Sequence, residues 1–287
     1  MTILVTGATG NVGRKIVQQL IERGAAVRAL VRAPSKSGFP AGVDIVQGDL
    51  LDPDALRAAF KGVSTLFLLN AVVPDEFTQA LLVLNLAREA GIERLVYLSV
   101  IHSDVYLNVP HFAGKYGVER AIGALGFSAT ILRPAYFMDN DASVKDVVPG
   151  YGVYPMPVGE QGLAMIDTRD IAEIAAIELV RREQGPATLP STRYNLVGPD
   201  TLTGTGIAAI WSEVLGRPIA YAGGDTAAFE QNLRQAMPAW MAYDMRLMGE
   251  RFLQDGMLPQ SGDVERLTAL LGRPLRTYRD FAAQLVA

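Results

Sequence analysis

Near the amino terminus, Thr6-Gly7-Ala8-Thr9-Gly10-Asn11-Val12-Gly13 has the residue types and spacing of a phosphate cradle. Gly7 permits a tight turn, Gly10 lets backbone approach a diphosphate with no Cβ in the way, and Gly13 lets a helix pack closely on a strand. The first N–H groups of such a helix face outward, and its dipole favours an anion by about 0.3–1 kcal/mol. Gly7, Thr9, Gly10, Asn11, Val12 and Gly13 are therefore candidate cofactor contacts. The spacing is Gly-x-x-Gly-x-x-Gly, not the usual Gly-x-Gly-x-x-Gly, and an ordinary strand-to-helix turn in need of glycine is the competing reading.

The end of the second strand decides which dinucleotide fits. An Asp or Glu there would accept hydrogen bonds from the ribose 2′-hydroxyl of NAD. This chain has Val31-Arg32-Ala33-Pro34-Ser35-Lys36 instead. Arg32 and Lys36 can pair with a 2′-phosphate through charge-assisted hydrogen bonds of about 1.5–3 kcal/mol each, a preference of at least tenfold for NADP(H). The alternative is a solvated basic loop.

A second constellation carries acid–base chemistry. The chain has five lysines and two histidines, yet His102, His111 and Lys115 share one short segment. His111-x-x-x-Lys115 places both side chains on one helical face. Histidine can donate a proton near neutral pH, and the lysine can orient a nicotinamide ribose or polarise a substrate oxygen, so His111 and Lys115 are the candidate catalytic residues. Against this stand a helix-terminal histidine and an exposed helical lysine. Further on, Met237, Trp240, Met241, Met245, Met248 and Phe252 recur at helical spacing, as packed core or as the lining of an apolar pocket.

The elements that must hold these groups alternate. Short runs rich in Val, Ile and Leu predict strands at 2–6, 26–31, 43–46, 65–69, 94–99 and 128–132, with helices near 11–23, 53–60, 76–90 and 111–124. Six strands in series, with helices intervening, predict an α/β, doubly wound, mostly parallel sheet. After Pro134 the rhythm changes, with a helix near 170–182, a strand at 194–197 and a mainly helical remainder. Residues 1–150 are expected to form the dinucleotide-binding domain, and 151–287 a smaller substrate lobe with some segments returning to the sheet.

Composition narrows the chemistry further. There is no cysteine, so there is no thiol nucleophile or iron–sulfur ligation, and no metal site is expected. Charged residues make up 20% and the net charge is −4, which argues against direct binding of nucleic acid. The uncharged stretch from Gly62 to Pro74 is too short to span a bilayer, and no basic leader precedes the first strand. No membrane association and a cytoplasmic location are the expectations.

With Gly48-Asp49-Leu50, His111-Phe112-Ala113-Gly114-Lys115, Leu132-Arg133-Pro134 and Tyr194-Asn195-Leu196-Val197 added to the glycine turn, the chain resembles the NmrA-like branch of the atypical short-chain dehydrogenases/reductases over nearly its full length. The resemblance implies a Rossmann sheet with Asp49 and Leu50 by the adenine, Asn70 and Ala71 by the cofactor's centre, and Pro134, Tyr136 and Phe137 by the nicotinamide. Asp49 can equally serve to turn the chain before the next helix. The superfamily's usual Tyr-x-x-x-Lys is altered, because His111 stands at the tyrosine's place; Tyr116-x-x-x-Arg120 keeps the spacing in another register. The expected function is an NADPH-dependent reductase transferring hydride to a small apolar electrophile of quinone, imine or enone type. The alternative is a non-catalytic NADP(H)-binding redox sensor that changes protein partners with cofactor state. A small-molecule substrate, and a protein partner or homodimer, are the expected partners.

Overall fold

The computed structural model describes residues 1–34, 38–186 and 189–286. In chain order the strands are β1 (Ile3–Val5), β2 (Val27–Val31), β3 (Asp44–Gln47), β4 (Thr65–Leu68), β5 (Arg94–Leu98), β6 (Ser128–Pro134), β7 (Val153–Tyr154), β8 (Thr192–Leu196) and β9 (Ala220–Tyr221). The helices are α1 (Asn11–Glu22), α2 (Pro53–Ala59), α3 (Glu76–Glu89), α4 (Pro110–Ala124), α5 (Val147–Tyr151), α6 (Thr168–Gln184), α7 (Gly204–Leu215), α8 (Thr226–Leu233), α9 (Ala239–Asp255), α10 (Asp263–Leu271) and α11 (Tyr278–Val286).

Seven strands form one sheet in the order β3-β2-β1-β4-β5-β6-β8. Every pairing among the first six is parallel. This is the doubly wound order, in which the succession of strands reverses between β1 and β4 and opens a crevice at their carboxyl ends. The expected α/β fold is present, and the six expected strands and four expected helices of the first 134 residues fall within two residues of their predicted limits.

The reason is burial on both faces of the sheet. Ile3–Val5, Leu66–Leu68 and Leu95–Leu98 are all sealed from water, as parallel strands flanked by helices must be. One layer of the core joins Leu4, Leu30, Leu66 and Leu95 of the strands to Leu56, Leu84 and Ile122 of the helices, each buried leucine contributing about 1.5–3 kcal/mol. Helix α1 turns Val12, Ile16, Val17 and Leu20 inward. Helix α2 starts where it does because Asp52 accepts hydrogen bonds from the backbone of Asp54 and Ala55 and Pro53 supplies the first turn.

The chain divides into two compact units that interleave along the sequence. The first comprises 1–100, 114–133 and 171–194; the second comprises 101–113, 134–170 and 195–287. The second unit has its own two-stranded parallel sheet, β7 with β9, and its own buried polar centre. There Asp141 accepts a hydrogen bond from the hydroxyl of Tyr154 at 2.8 Å and another from Tyr278. The indole of Trp211 donates to Tyr278 at 3.0 Å. Burial raises the Asp141 carboxyl from 3.8 to about 6, against the lowering effect of these phenols.

Candidate functional site

The cradle is formed where β1 gives way to α1. Thr6 closes β1 against the end of β4: its hydroxyl donates to the carbonyl of Leu69 at 3.0 Å, and the Leu69 N–H donates back to it at 2.8 Å. Gly7 adopts φ +61°, and its carbonyl accepts from the Gly10 N–H at 3.0 Å. A Cβ on Gly13 would lie 2.2 Å from that carbonyl oxygen, and one on Gly7 2.9 Å from Leu69. The turn therefore closes only without side chains at these two places. Gly10 caps α1 with no side-chain hydrogen bond, and the first turn contains no acidic residue. Thr9, Gly10 and Asn11 are exposed at this mouth, while Val12 and Gly13 pack inward. The Asn11 side-chain oxygen accepts from Lys15 one turn on.

Toward the adenosine side, Arg32 is exposed just beyond β2, and its carbonyl accepts from the Gln47 side chain at 3.2 Å. Lys36 lies outside the described residues. Asp49 performs the turn: its carboxylate accepts from the Leu51 N–H at 2.9 Å and its carbonyl from Asp52 at 3.1 Å. Leu50 is half-buried against the core. The Arg14 guanidinium, on the first turns of α1, lies 5.2 Å from the centre of the Phe39 ring.

At the end of β4 Asn70 is buried, and its amide donates to Gln79 at 3.4 Å. Its side-chain oxygen has no hydrogen-bond partner among the described residues, whereas Ala71 is exposed. A buried acceptor left unpaired costs about 1–3 kcal/mol, so a crevice-end amide of this kind fits a donor-bearing ligand. Gly7, Gly13 and Asn70 together fit a dinucleotide diphosphate and the groups beside it.

Lys115 is buried and gives its ammonium to Glu76 at 2.5 Å. One turn further along α4, Glu119 accepts from the hydroxyl of Ser99 at 2.6 Å and from Arg133 at 2.8 and 2.6 Å. Buried charges persist only in such pairs. The phenol of Tyr97 is buried beside them with no hydrogen-bond partner among the described residues; burial first, then the charges of Glu76 and Glu119, holds it well above 10. Glu76, Tyr97 and Glu119 were not singled out from the sequence. The spacing Lys115-x-x-x-Glu119 was the signal for one of them.

In the second unit, His111 stands in the first turn of α4. Its backbone N–H donates to one carboxylate oxygen of Asp244 at 3.1 Å, and its ring nitrogen Nδ1 pairs with the other. Asp244 projects from α9 and is 1% exposed. Trp240, read from spacing as part of the helix's apolar stripe, is exposed; the buried face is Ala242, Asp244, Met248, Gly249 and Phe252. His102 adopts φ +57° and its Nε2 lies 3.2 Å from the Leu258 carbonyl. Pro134 ends β6. Tyr136 follows with its N–H on the sulfur of Met257 at 3.1 Å and its ring edge-on to Phe252 at 5.6 Å. Burial, then the Asp141 charge, raises its phenol well above 10. Phe137 is half-buried and bridges to Ile166.

Among the described residues, no three His, Asp or Glu side chains converge as metal ligands, and no helix is long and apolar enough to cross a membrane.

Comparison with known proteins agrees with this architecture. The chain is 29% identical over 285 residues to an NAD(P)H azoreductase of Xenophilus azovorans, spanning 98% of this chain and 96% of that protein. It is 32% identical over 291 residues to (4-alkanoyl-5-oxo-2,5-dihydrofuran-3-yl)methyl phosphate reductase of Streptomyces griseus subsp. griseus, spanning 98% and 97%. The crystal structure of an NADPH-dependent quinone oxidoreductase of Escherichia coli, complexed with NADPH, superposes with a TM-score of 0.88 at 25% identity, covering 99% of this chain and all of that one. The model of the NmrA-like family matches residues 1–282, and the chain belongs to that family.

Proposed function

We propose that the protein is an NADPH-dependent reductase that passes hydride to a small apolar electrophile of quinone, imine or enone type. The observation that carries this is the tight glycine turn, in which a Cβ on Gly13 would reach within 2.2 Å of the Gly7 carbonyl. It leaves backbone N–H groups as the donors to a diphosphate. When bound, the dinucleotide supplies the two electrons of the reduction.

The chain's own residues do the rest. Arg32, exposed beyond β2, pairs with the 2′-phosphate, and Lys36 is the second cation for that group. Thr9, Gly10, Asn11 and Val12 shape the mouth of α1; Asp49 and Leu50 border the adenine. Asn70 and Ala71 flank the diphosphate, and Pro134, Tyr136 and Phe137 form an apolar border for the nicotinamide. Lys115, fixed by Glu76, holds the nicotinamide ribose, and His111 handles a proton. The reductase relatives support the substrate class, and a cytoplasmic location accords with NADPH chemistry.

One observation favours the alternative of a redox sensor: His111, not tyrosine, stands one turn before Lys115. A sensor binds NADPH without turnover. Oxidation of NADPH in the presence of 1,4-naphthoquinone and of the azo dye methyl red decides between the two. Turnover above the rate without enzyme is expected, and Arg32→Asp should bring NADPH affinity down by about tenfold or more while sparing NADH. Saturable binding with no turnover on either acceptor overturns the reductase reading.

A further inference from the structure

We infer that Asp244 and His111 form an acid–base dyad, with His111 the proton donor of the reduction and Asp244 its positioning residue. The inference rests on the reductase reading and adds to it the source of the proton.

The geometry restricts the imidazole at one nitrogen and leaves the other available. Both oxygens of Asp244 are used on His111, one on the backbone N–H at 3.1 Å and one on Nδ1. The histidine side chain is 9% exposed and the aspartate 1%, so water competes weakly for the pair. The ring of Phe112 meets the imidazole edge-on at 4.7 Å and limits its rotation. Nε2 has no hydrogen-bond partner among the described residues. A carboxylate on Nδ1 fixes which nitrogen keeps its hydrogen. The proton that leaves is then the one on Nε2, and Asp244 accepts from Nδ1–H before and after the transfer.

The step balances. The acceptor takes a hydride equivalent from the reduced nicotinamide dinucleotide, which is oxidised. The Nε2–H bond of the imidazolium breaks as an O–H or N–H bond forms on the acceptor, and solvent water restores the ring proton. The site thus suits acceptors whose reduction generates negative charge on oxygen or nitrogen.

The test uses the full-length wild type, Asp244→Asn, His111→Gln and the double variant. Asn keeps the shape of the aspartate and an oxygen for the His111 N–H, so thermal unfolding should stay close to wild type. With only two histidines in the chain, nitrogen-15 spectra of the rings can be assigned with His102→Gln. They report the tautomer without substrate or cofactor. The expected result is a neutral His111 ring protonated on Nδ1 in the wild type and on Nε2 in Asp244→Asn. With 1,4-naphthoquinone, kcat should fall by about 100-fold or more in His111→Gln and by at least about tenfold in Asp244→Asn, with KM little changed. The double variant should be no slower than His111→Gln, because both substitutions disable one device. An unchanged tautomer, or a switched tautomer with kcat intact, overturns the dyad. A wild type that binds NADPH but reduces neither naphthoquinone nor methyl red overturns the reductase reading and the donor role together. That failure is distinct because it shows before any substitution.

Discussion

In the first unit Glu119 meets Arg133 through hydrogen bonds of 2.8 and 2.6 Å and Glu76 meets Lys115 at 2.5 Å. In the second, Asp141 meets the phenols of Tyr154 and Tyr278 and, among the described residues, no cation, and its Oδ1 has no partner among them. All three carboxyls are buried. The difference lies in how each environment meets the cost of desolvation. Glu119 and Glu76 each have a cation within hydrogen-bond distance, whereas the two neutral hydroxyls at Asp141 stabilise its carboxylate too weakly to offset burial, and the proton is retained up to about pH 6. The glycine turn is a third case, formed without buried charge, and its fit depends on volume.

The comparison breaks most sharply at Glu76. Glu76→Ala leaves the Lys115 ammonium buried without a counter-charge and should cost about 3–5 kcal/mol in chemical denaturation, with Glu76→Gln milder. A loss below 1 kcal/mol would mean the pair is no more than a surface contact. Asp141→Asn probes the opposite arrangement. Because the folded carboxyl titrates higher than the unfolded one, its protonation stabilises the folded state fully below pH 3.8, and this contribution is lost as pH rises through about 6. That span is at most about 3 kcal/mol. The stability of Asp141→Asn relative to wild type should therefore rise between pH 4 and pH 7 and then level off; a flat difference would show that Asp141 is ionised throughout. Gly13→Ala should cost about 1–3 kcal/mol of fit and weaken NADPH binding by roughly 10- to 100-fold. Its loss of stability should be indifferent to pH and salt, unlike the two charged cases.

Legibility in the sequence follows the same division. Features fixed by local chemistry were readable: strands buried on both faces read as apolar runs, Gly7 and Gly13 as a turn that excludes side chains, and His111 and Lys115 as neighbours on one helical face. Features completed by distant segments were not. Lys115 gives no sign that its partner lies 39 residues away, and His111 none that Asp244 lies 133 residues away. Trp240 matched the helical spacing of its methionine neighbours, and only packing reveals that it faces water and Asp244 does not. Asp49 carried two readings, and the hydrogen bond from the Leu51 N–H shows it turning the chain.

The stranded hydroxyl of Tyr97 has a practical side. It gives up hydration and gains no acceptor, so deleting one oxygen atom by Tyr97→Phe should raise the melting temperature by a few degrees, the equivalent of about 1 kcal/mol. A preparation made tougher in this way would keep its fold in warmer mixtures than the parent withstands.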